Sequence, residues 1–523
     1  MAEQTGRSRP TPSGQPRSGQ PRRPRSGNSR SADPRTGDPR TGGRRTGDPR
    51  TGRPRADPAR HAAYDVLRAV ADRDAYANLL LPALLRERGL TGRDAAFATE
   101  LTYGTLRGRG TYDAILAACS DRDDLDPPVR DVLRLGTHQL LATRVGSHAA
   151  VATSVDLAKD VCGPRPSGFV NAVLRRVATR DLEAWIDIVA PSRSQDPTGY
   201  LAVRHSYPRW IVEAFRDALG DASGAEIEDA LAAGNVRPDV VLALTPADPA
   251  DAASVLPAGE PTRWSPYGFR LAGGDPAPLV ASGQAAVQDE ASQLAALALT
   301  RVGLSGPDEL WLDLCAGPGG KARLLSGLAA ARGARLVASD IRPHRARRVL
   351  EALRRAKQAG PGQPGTGATQ THTAAVVAAD GRQVPWPSGT FDRVLADVPC
   401  SGLGSLRRRP EARWRKIPED VKELAVLQRE LLEAAIDSVR PGGVVAYVTC
   451  TPHLAETREV VAAVADRRDD VTVLDAPAVL SEVPDLRCPE PSRSTDSRYR
   501  RFAQFWPHRH GTDAIFLALL RRG

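Results

Sequence analysis

Between Glu309 and Cys450 five short apolar runs, ELWLDLCAG, ARLVASD, TAAVVAAD, FDRVLAD and GGVVAYVTC, are mostly separated by helical or loop segments. Runs of this length and aliphatic content predict strands buried on both faces. Strand and helix in alternation predict an open, mainly parallel α/β sheet, which binds ligands at the carboxyl ends of its strands. What ends each run therefore matters more than what fills it.

Upstream the texture is different. From Pro58 to about Arg180, segments such as ARHAAYDVLRAVADRD, PPVRDVLRLGTHQLLATR and SGFVNAVLRRVATR place apolar residues at three-to-four spacing. Short breaks such as GLTGRD separate them, which predicts a compact all-α domain over 57–180. PRWIVEAFRDALG and GAEIEDALAAG continue as a helical connector over 181–234. DVVLALTP and RWSPYGFRLAGG read as strands of a small α/β subdomain, 235–286. The main sheet domain then runs over 287–523. GPGQPGTGATQ, inside it, reads as a flexible insertion without chemistry.

The net charge of +10 sits entirely in residues 1–56, which carry fourteen Arg against four acids. The remaining chain is neutral overall. This tail repeats RTGDPR and has almost nothing apolar, so it is expected to be disordered. A non-specific phosphate-binding arm and a solubilising leader both fit it. The first thirty residues hold no apolar core, so a secretory signal is not expected, and no apolar run approaches a membrane span. Six scattered cysteines without a CxxC argue against a zinc site or a disulfide scaffold. A cytoplasmic monomer with reduced thiols and no metal is the expected form.

LDLCAGPGGKA (312–322) reads as strand, glycine-rich turn and helix start, a shape that lets backbone amides approach a ligand. A phosphate-binding P-loop would need Gly at position 315 and Ser or Thr after Lys321, and the residues are Cys315 and Ala322. A dinucleotide loop and a nucleoside-binding methyltransferase loop fit equally well. The neighbouring run ends separate them. Asp340, Asp380 and Asp397 close the second, third and fourth runs, and three carboxylates near a pyrophosphate would be unfavourable. S-adenosylmethionine, with its sulfonium, amino group and ribose, suits acids. Taken singly, each Asp could equally be a cap or turn former.

VLADVPCSG ends the fourth run and YVTCTP the fifth, so adjacent strand ends would bring Cys400 and Cys450 to one rim. A lone buried Cys is more often packing, but two beside a cofactor loop suit methylation of a pyrimidine carbon. C5 of cytosine is a poor nucleophile until a thiolate adds at C6, and Asp397 could hydrogen-bond ring N3 to favour that addition. Amino-group methyltransferases usually carry Pro-Pro-aromatic here, and Pro399-Cys400 departs from that.

GFVNAVLRR, HSYPRWIV, QDEASQL, DLCAGPGGK, ADVPCSGLGSLRRRPE, YVTCTPHLAETREVV and WPHRHGTDAIFLALLRR together resemble the RsmB family of 16S rRNA cytosine-C5 methyltransferases, of the NOL1/NOP2/Sun type, over residues 57–523. The resemblance implies a Rossmann-like class I methyltransferase domain with a seven-stranded, mostly parallel sheet, preceded by a NusB-like RNA-binding domain. It implies that Cys315, Ala316, Gly317, Pro318, Gly319, Gly320 and Lys321 line S-adenosylmethionine. Asp340 would bind the ribose, Asp380 would lie near the adenine, and Asp397 would sit between cofactor and base. Cys450 would be the nucleophile and Cys400 would assist product release.

SLRRRPEARWRK (405–416) supplies Arg407, Arg408, Arg409, Arg413 and Lys416 for phosphates and Trp414 for stacking, and is expected to grip RNA, most simply 16S rRNA. The target cytosine would have to be flipped out of its stack. A DNA cytosine-C5 methyltransferase would use the Pro-Cys cysteine and lack the second thiol. Another RNA substrate such as tRNA, or an antitermination-type protein with an inactive enzymatic domain, are the remaining alternatives.

Overall fold

The computed structural model describes residues 57–122, 124–220, 224–244, 256–359, 374–481 and 500–523. The arginine tail, the 360–370 insertion and Cys488 lie outside the described residues. All the described residues fall in one unit, 54–523, so their mutual contacts can be read directly.

Seven helices build the first layer: α1 (Pro58–Arg73), α2 (Ala77–Glu87), α3 (Gly92–Arg107), α4 (Arg109–Cys119), α5 (Pro127–Ala142), α6 (Ser147–Cys162) and α7 (Ser167–Val177). Asp57 starts α1 by accepting from the Ala59 amide, with Pro58 at the first helical position, where its missing N–H costs nothing. Helix α5 is buried along Val129–Gln139 and is the spine of a core that includes Leu67, Leu101, Ile115 and Leu174. Helices α8 (Leu182–Val189), α9 (Pro197–His205), α10 (Arg209–Leu219) and α11 (Ala225–Ala233) follow. Their own core, around Ile211, Phe215 and Leu231, takes in Leu403, Leu406 and Trp506 from the far end of the chain.

A small antiparallel sheet comes next, ordered β2 (Gly259–Pro261), β3 (Gly268–Leu271), β1 (Val241–Leu244), β4 (Ala285–Val287), with a short helix α12 (Ala277–Ala281). The large sheet has β5 (Leu310–Asp313), β6 (Arg335–Ser339), β7 (Ala374–Val377), β8 (Phe391–Asp397), β9 (Val439–Thr449), β10 (Val471–Leu474), β11 (Ala503–Gln504) and β12 (Phe516–Arg522). Its order is β10-β12-β9-β8-β5-β6-β7, with the two-residue β11 beside β12. The five strands β5 to β9 run parallel, and β10 to β12 add antiparallel partners. This is the expected seven-stranded, mostly parallel sheet with one short strand added.

Helices cover both faces. Alanine- and leucine-rich α13 (Glu290–Arg301), α14 (Gly320–Ala330) and α15 (Pro343–Ala359) pack one side, through Leu294, Leu325 and Val349. On the other side α16 (Pro418–Ser438) and α17 (Arg458–Ala465) bury Leu432, Ile436 and Val461. The strand order reverses between β5 and β8, and a crevice opens at their carboxyl ends where the two connections part. No helix among the described residues is long and apolar enough to cross a membrane.

Candidate active site

The turn after β5 is shaped by what a side chain would strike. Gly319 has φ +114°, and a Cβ there would press within 3.2 Å of Val349 and Ala352 on α15. A Cβ on Gly317 would land on the Asp340 carboxylate. Without one, the Gly317 amide donates to Asp340 Oδ2 at 3.1 Å, while Oδ1 accepts from the Arg342 amide at 2.8 Å. Asp340 thus follows β6 and closes the glycine turn. Lys321, on the first turn of α14, reaches across the crevice to Asp397 Oδ2 at 2.8 Å. Burial opposes its charge, but the Asp397 carboxylate holds the Lys321 ammonium above its ordinary value. Asp380 lies three residues beyond β7 rather than at its end, and Arg382 grips it through side chain and amide. That hydrogen bonding holds its carboxyl below the usual range.

Beneath the turn, burial and then the Asp397 charge push Asp313 well above the carboxylate range. Burial likewise pushes the Cys315 thiol up, which leaves it unsuited to attack. Gln288, buried beside Gly320, has both amide atoms without a partner among the described residues. Ser339 Oγ, at the end of β6, is also orphaned. A glycine cradle, orphaned polar atoms and acids on successive strand ends fit a ligand that is cationic at one end and rich in donors.

The two thiols at the ends of β8 and β9 meet: Cys400 Sγ and Cys450 Sγ are 3.2 Å apart. The contact splits their acidities. Hydrogen bonding from Cys400 draws the Cys450 thiol below its ordinary value, and the same bond, with burial, pushes Cys400 well up. Of the pair, Cys450 is the one disposed to ionise.

A carboxylate that sequence reasoning passed over holds this geometry. Glu456, with 0 % exposure, accepts from the Ser401 amide (2.7 Å), the Ser401 hydroxyl and Gln428 Nε2 (3.0 Å). Gln428 also donates to Pro399 O, and Tyr447 OH donates to the Glu456 carbonyl. The peptide before Cys400 and the one after it are thereby tied to the loop that follows Cys450. Gly404 extends the seam, donating to Cys450 O and accepting from the Ala514 amide, each at 2.9 Å. The pattern of TPHLAETREV offered no sign that its first Glu, rather than its second, turns inward.

The basic stretch 405–416 requires a correction. Arg407 and Arg408 both bind Asp289 and Asp513, forming a charge-balanced box that joins the QDE and GTD segments. Arg413 has 0 % exposure. It donates to Ser206 O, Tyr207 OH and Gly234 O at 3.0–3.2 Å, with its guanidinium over the Tyr207 ring. Trp414 packs against Gly110 beneath Arg109. Arg407 and Arg413 are buried and Arg408 and Trp414 half-buried, and all four are engaged in contacts within the protein. Arg409, exposed over Tyr76, is the one fully exposed cation of the segment, and Lys416 is half-buried beside Asp420.

The segment is an interdomain clasp instead. Glu411 accepts from the Ala77 amide and so caps the start of α2, while Arg415 donates to Val70 O, Asp74 O and Ala75 O at the end of α1. An acid at a helix start and a base at a helix end both match the macrodipole.

Comparison with known proteins agrees with this architecture. A family model described as "16S rRNA methyltransferase RsmB/F" matches residues 304–521, and one for the NusB family matches 57–179. A protein of Mycobacterium tuberculosis described as a putative methyltransferase is 50% identical over 480 residues, covering 89% of this chain and 97% of its own length. The "Ribosomal RNA small subunit methyltransferase B" of Pseudomonas putida is 32% identical over 430 residues, 80% of this chain and 91% of that one. Among solved structures, the crystal structure of PH0851 superposes with a TM-score of 0.69 at 20% identity, over 89% of this chain and 98% of that chain.

Proposed function

The chain belongs to the RsmB/F family of 16S rRNA methyltransferases, and on that premise we propose that it methylates carbon 5 of a cytosine in small-subunit ribosomal RNA through a covalent cysteine adduct. S-adenosylmethionine, when bound, supplies the electrophilic methyl group. The turn Cys315–Lys321, with Gln288, Asp340 and Asp380, would hold it, its amide donors and acids facing groups of complementary character. Residues 57–180 would position RNA, 181–286 would connect, and 287–523 would carry the chemistry.

The observation that carries the reading is the 3.2 Å approach of the two thiols, with Cys450 the more acidic. Cys450 thiolate adds to C6, and the electron pair displaced from the C5–C6 bond makes C5 nucleophilic. Asp397, fixed by Lys321, would hydrogen-bond the ring at N3 and favour that addition. Once C5 carries the methyl group, loss of the C5 proton to water re-forms the C5–C6 double bond and expels Cys450 as thiolate. The Cys400 S–H is placed to donate to the departing sulfur, which is how it would assist release.

The test is transfer of labelled methyl from S-adenosylmethionine to 16S RNA, as deproteinised RNA and as a partly assembled subunit, with 5-methylcytosine mapped in the product. Label at a single cytosine is the expected result. Transfer to tRNA alone, or none, would overturn the assignment.

A further inference from the structure

Helix α15 (Pro343–Ala359) carries Arg345, Arg347, Arg348, Arg354, Arg355 and Lys357 against one acid, Glu351. Residues 57–523 taken whole balance acid and base, so this is a local concentration of positive charge. The helix turns Ala346, Val349 and Leu353 inward and leaves all six cations exposed. Two ion pairs touch the row, Arg345 with Asp340 and Arg355 with Glu351. Both are 3.8 Å long; the second is solvated on both sides, the kind that contributes little, and in the first Asp340 is buried and already accepts two backbone amides. Arg347, Arg348 and Arg354 have no ion-pair partner among the described residues.

The placement runs against the helix's own stability. Arg345, Arg347 and Arg348 occupy the first two turns, where the macrodipole is positive, and the first turn holds no acid. Cations at three-residue spacing, Arg345 with Arg348 and Arg354 with Lys357, repel as well. Folding does not select this row, whereas an external polyanion relieves both penalties.

Its position suits one particular anion. The helix begins just after Asp340, with Arg345 against Gly317, at the rim of the cofactor turn. Strand β6, which feeds it, lies two strands from β8 and three from β9. At about 4.8 Å per strand, the row starts roughly 15 Å from the thiols. It then extends about 18 Å along the helix, from Arg345 to Lys357. We propose that the outward face of α15, through Arg347, Arg348, Arg354 and Arg355, grips the phosphates of the RNA strand flanking the target nucleotide. This rests on the reading of the protein as an RNA methyltransferase and replaces the clasp segment as its main phosphate contact. The contacts are to backbone, so they position the RNA without reading its sequence.

The experiment compares the full chain with R347Q/R348Q/R354Q/R355Q, whose exposed glutamines keep helix propensity. Affinity for a 16S RNA fragment is measured against salt, with KM and kcat for the same RNA and affinity for S-adenosylmethionine. Four phosphate contacts at about 0.7 each predict a salt slope shallower by roughly 3. RNA KM should rise at least tenfold, with kcat and S-adenosylmethionine affinity unchanged. An unchanged slope and KM in a protein that methylates RNA overturns the surface and leaves the function standing. A shallower slope with no methylation by either protein overturns the function and leaves the surface. A full chain that binds no RNA overturns both.

Discussion

At the scale of single residues, the site depends on two thiols in hydrogen-bond contact. Because the hydrogen bond from Cys400 lowers Cys450, removing the donor must raise it. In Cys400→Ala, the pH at which iodoacetamide alkylates Cys450 half-maximally should move upward, as read by mass spectrometry. No shift would mean that the contact does not activate Cys450. Glu456 is the second residue-scale test. Glu456→Gln keeps the volume but turns an NH2 toward groups that already donate, leaving buried donors unpaired at about 2 kcal/mol. Thermal unfolding should register that loss, and kcat should fall while S-adenosylmethionine affinity holds. The placement of Cys400, Cys450, Asp340 and Asp397 was visible in the sequence because chemistry at strand ends follows from topology, whereas Asp380 lies three residues past its strand. Glu456 and Gln288 were not visible, since their roles depend on which way a side chain faces in a turn.

Among the elements, the sheet and its covering helices were legible because burial on two faces imposes continuous apolar runs and burial on one imposes three-to-four spacing. The segment 405–416 was misread for a physical reason. Sequence shows a cation but not its partner, and here the partners are backbone carbonyls at the ends of α1 and α9 to α11 for Arg413 and Arg415, and Asp289 and Asp513 for Arg407 and Arg408, all more than a hundred residues away. Arg413→Ala would leave those acceptors unpaired and open a cavity. It should cost on the order of 3 kcal/mol and expose the connector to limited proteolysis, yet leave the salt slope of RNA binding unchanged. A shallower slope would restore Arg413 to the RNA interface. Helix α15 is the opposite case: its cations carry no motif in the sequence, and only the fold places them at the crevice rim.

At the scale of the whole molecule, the clasp makes the helical layer and the methyltransferase sheet one body, so RNA held by either is held relative to the thiols. The tail carries the entire net charge. Deleting residues 1–56 should weaken RNA affinity chiefly at low salt, with kcat unchanged. An unaltered salt dependence would leave the tail as a leader. The central claim, that Cys450 attacks and Cys400 releases, is tested most directly by incubating each alanine variant with 16S RNA and S-adenosylmethionine and resolving the mixture on a denaturing gel. Cys400→Ala should accumulate a protein–RNA adduct that survives denaturation, and Cys450→Ala should transfer nothing and trap nothing. An adduct formed by Cys450→Ala instead would reverse the two roles.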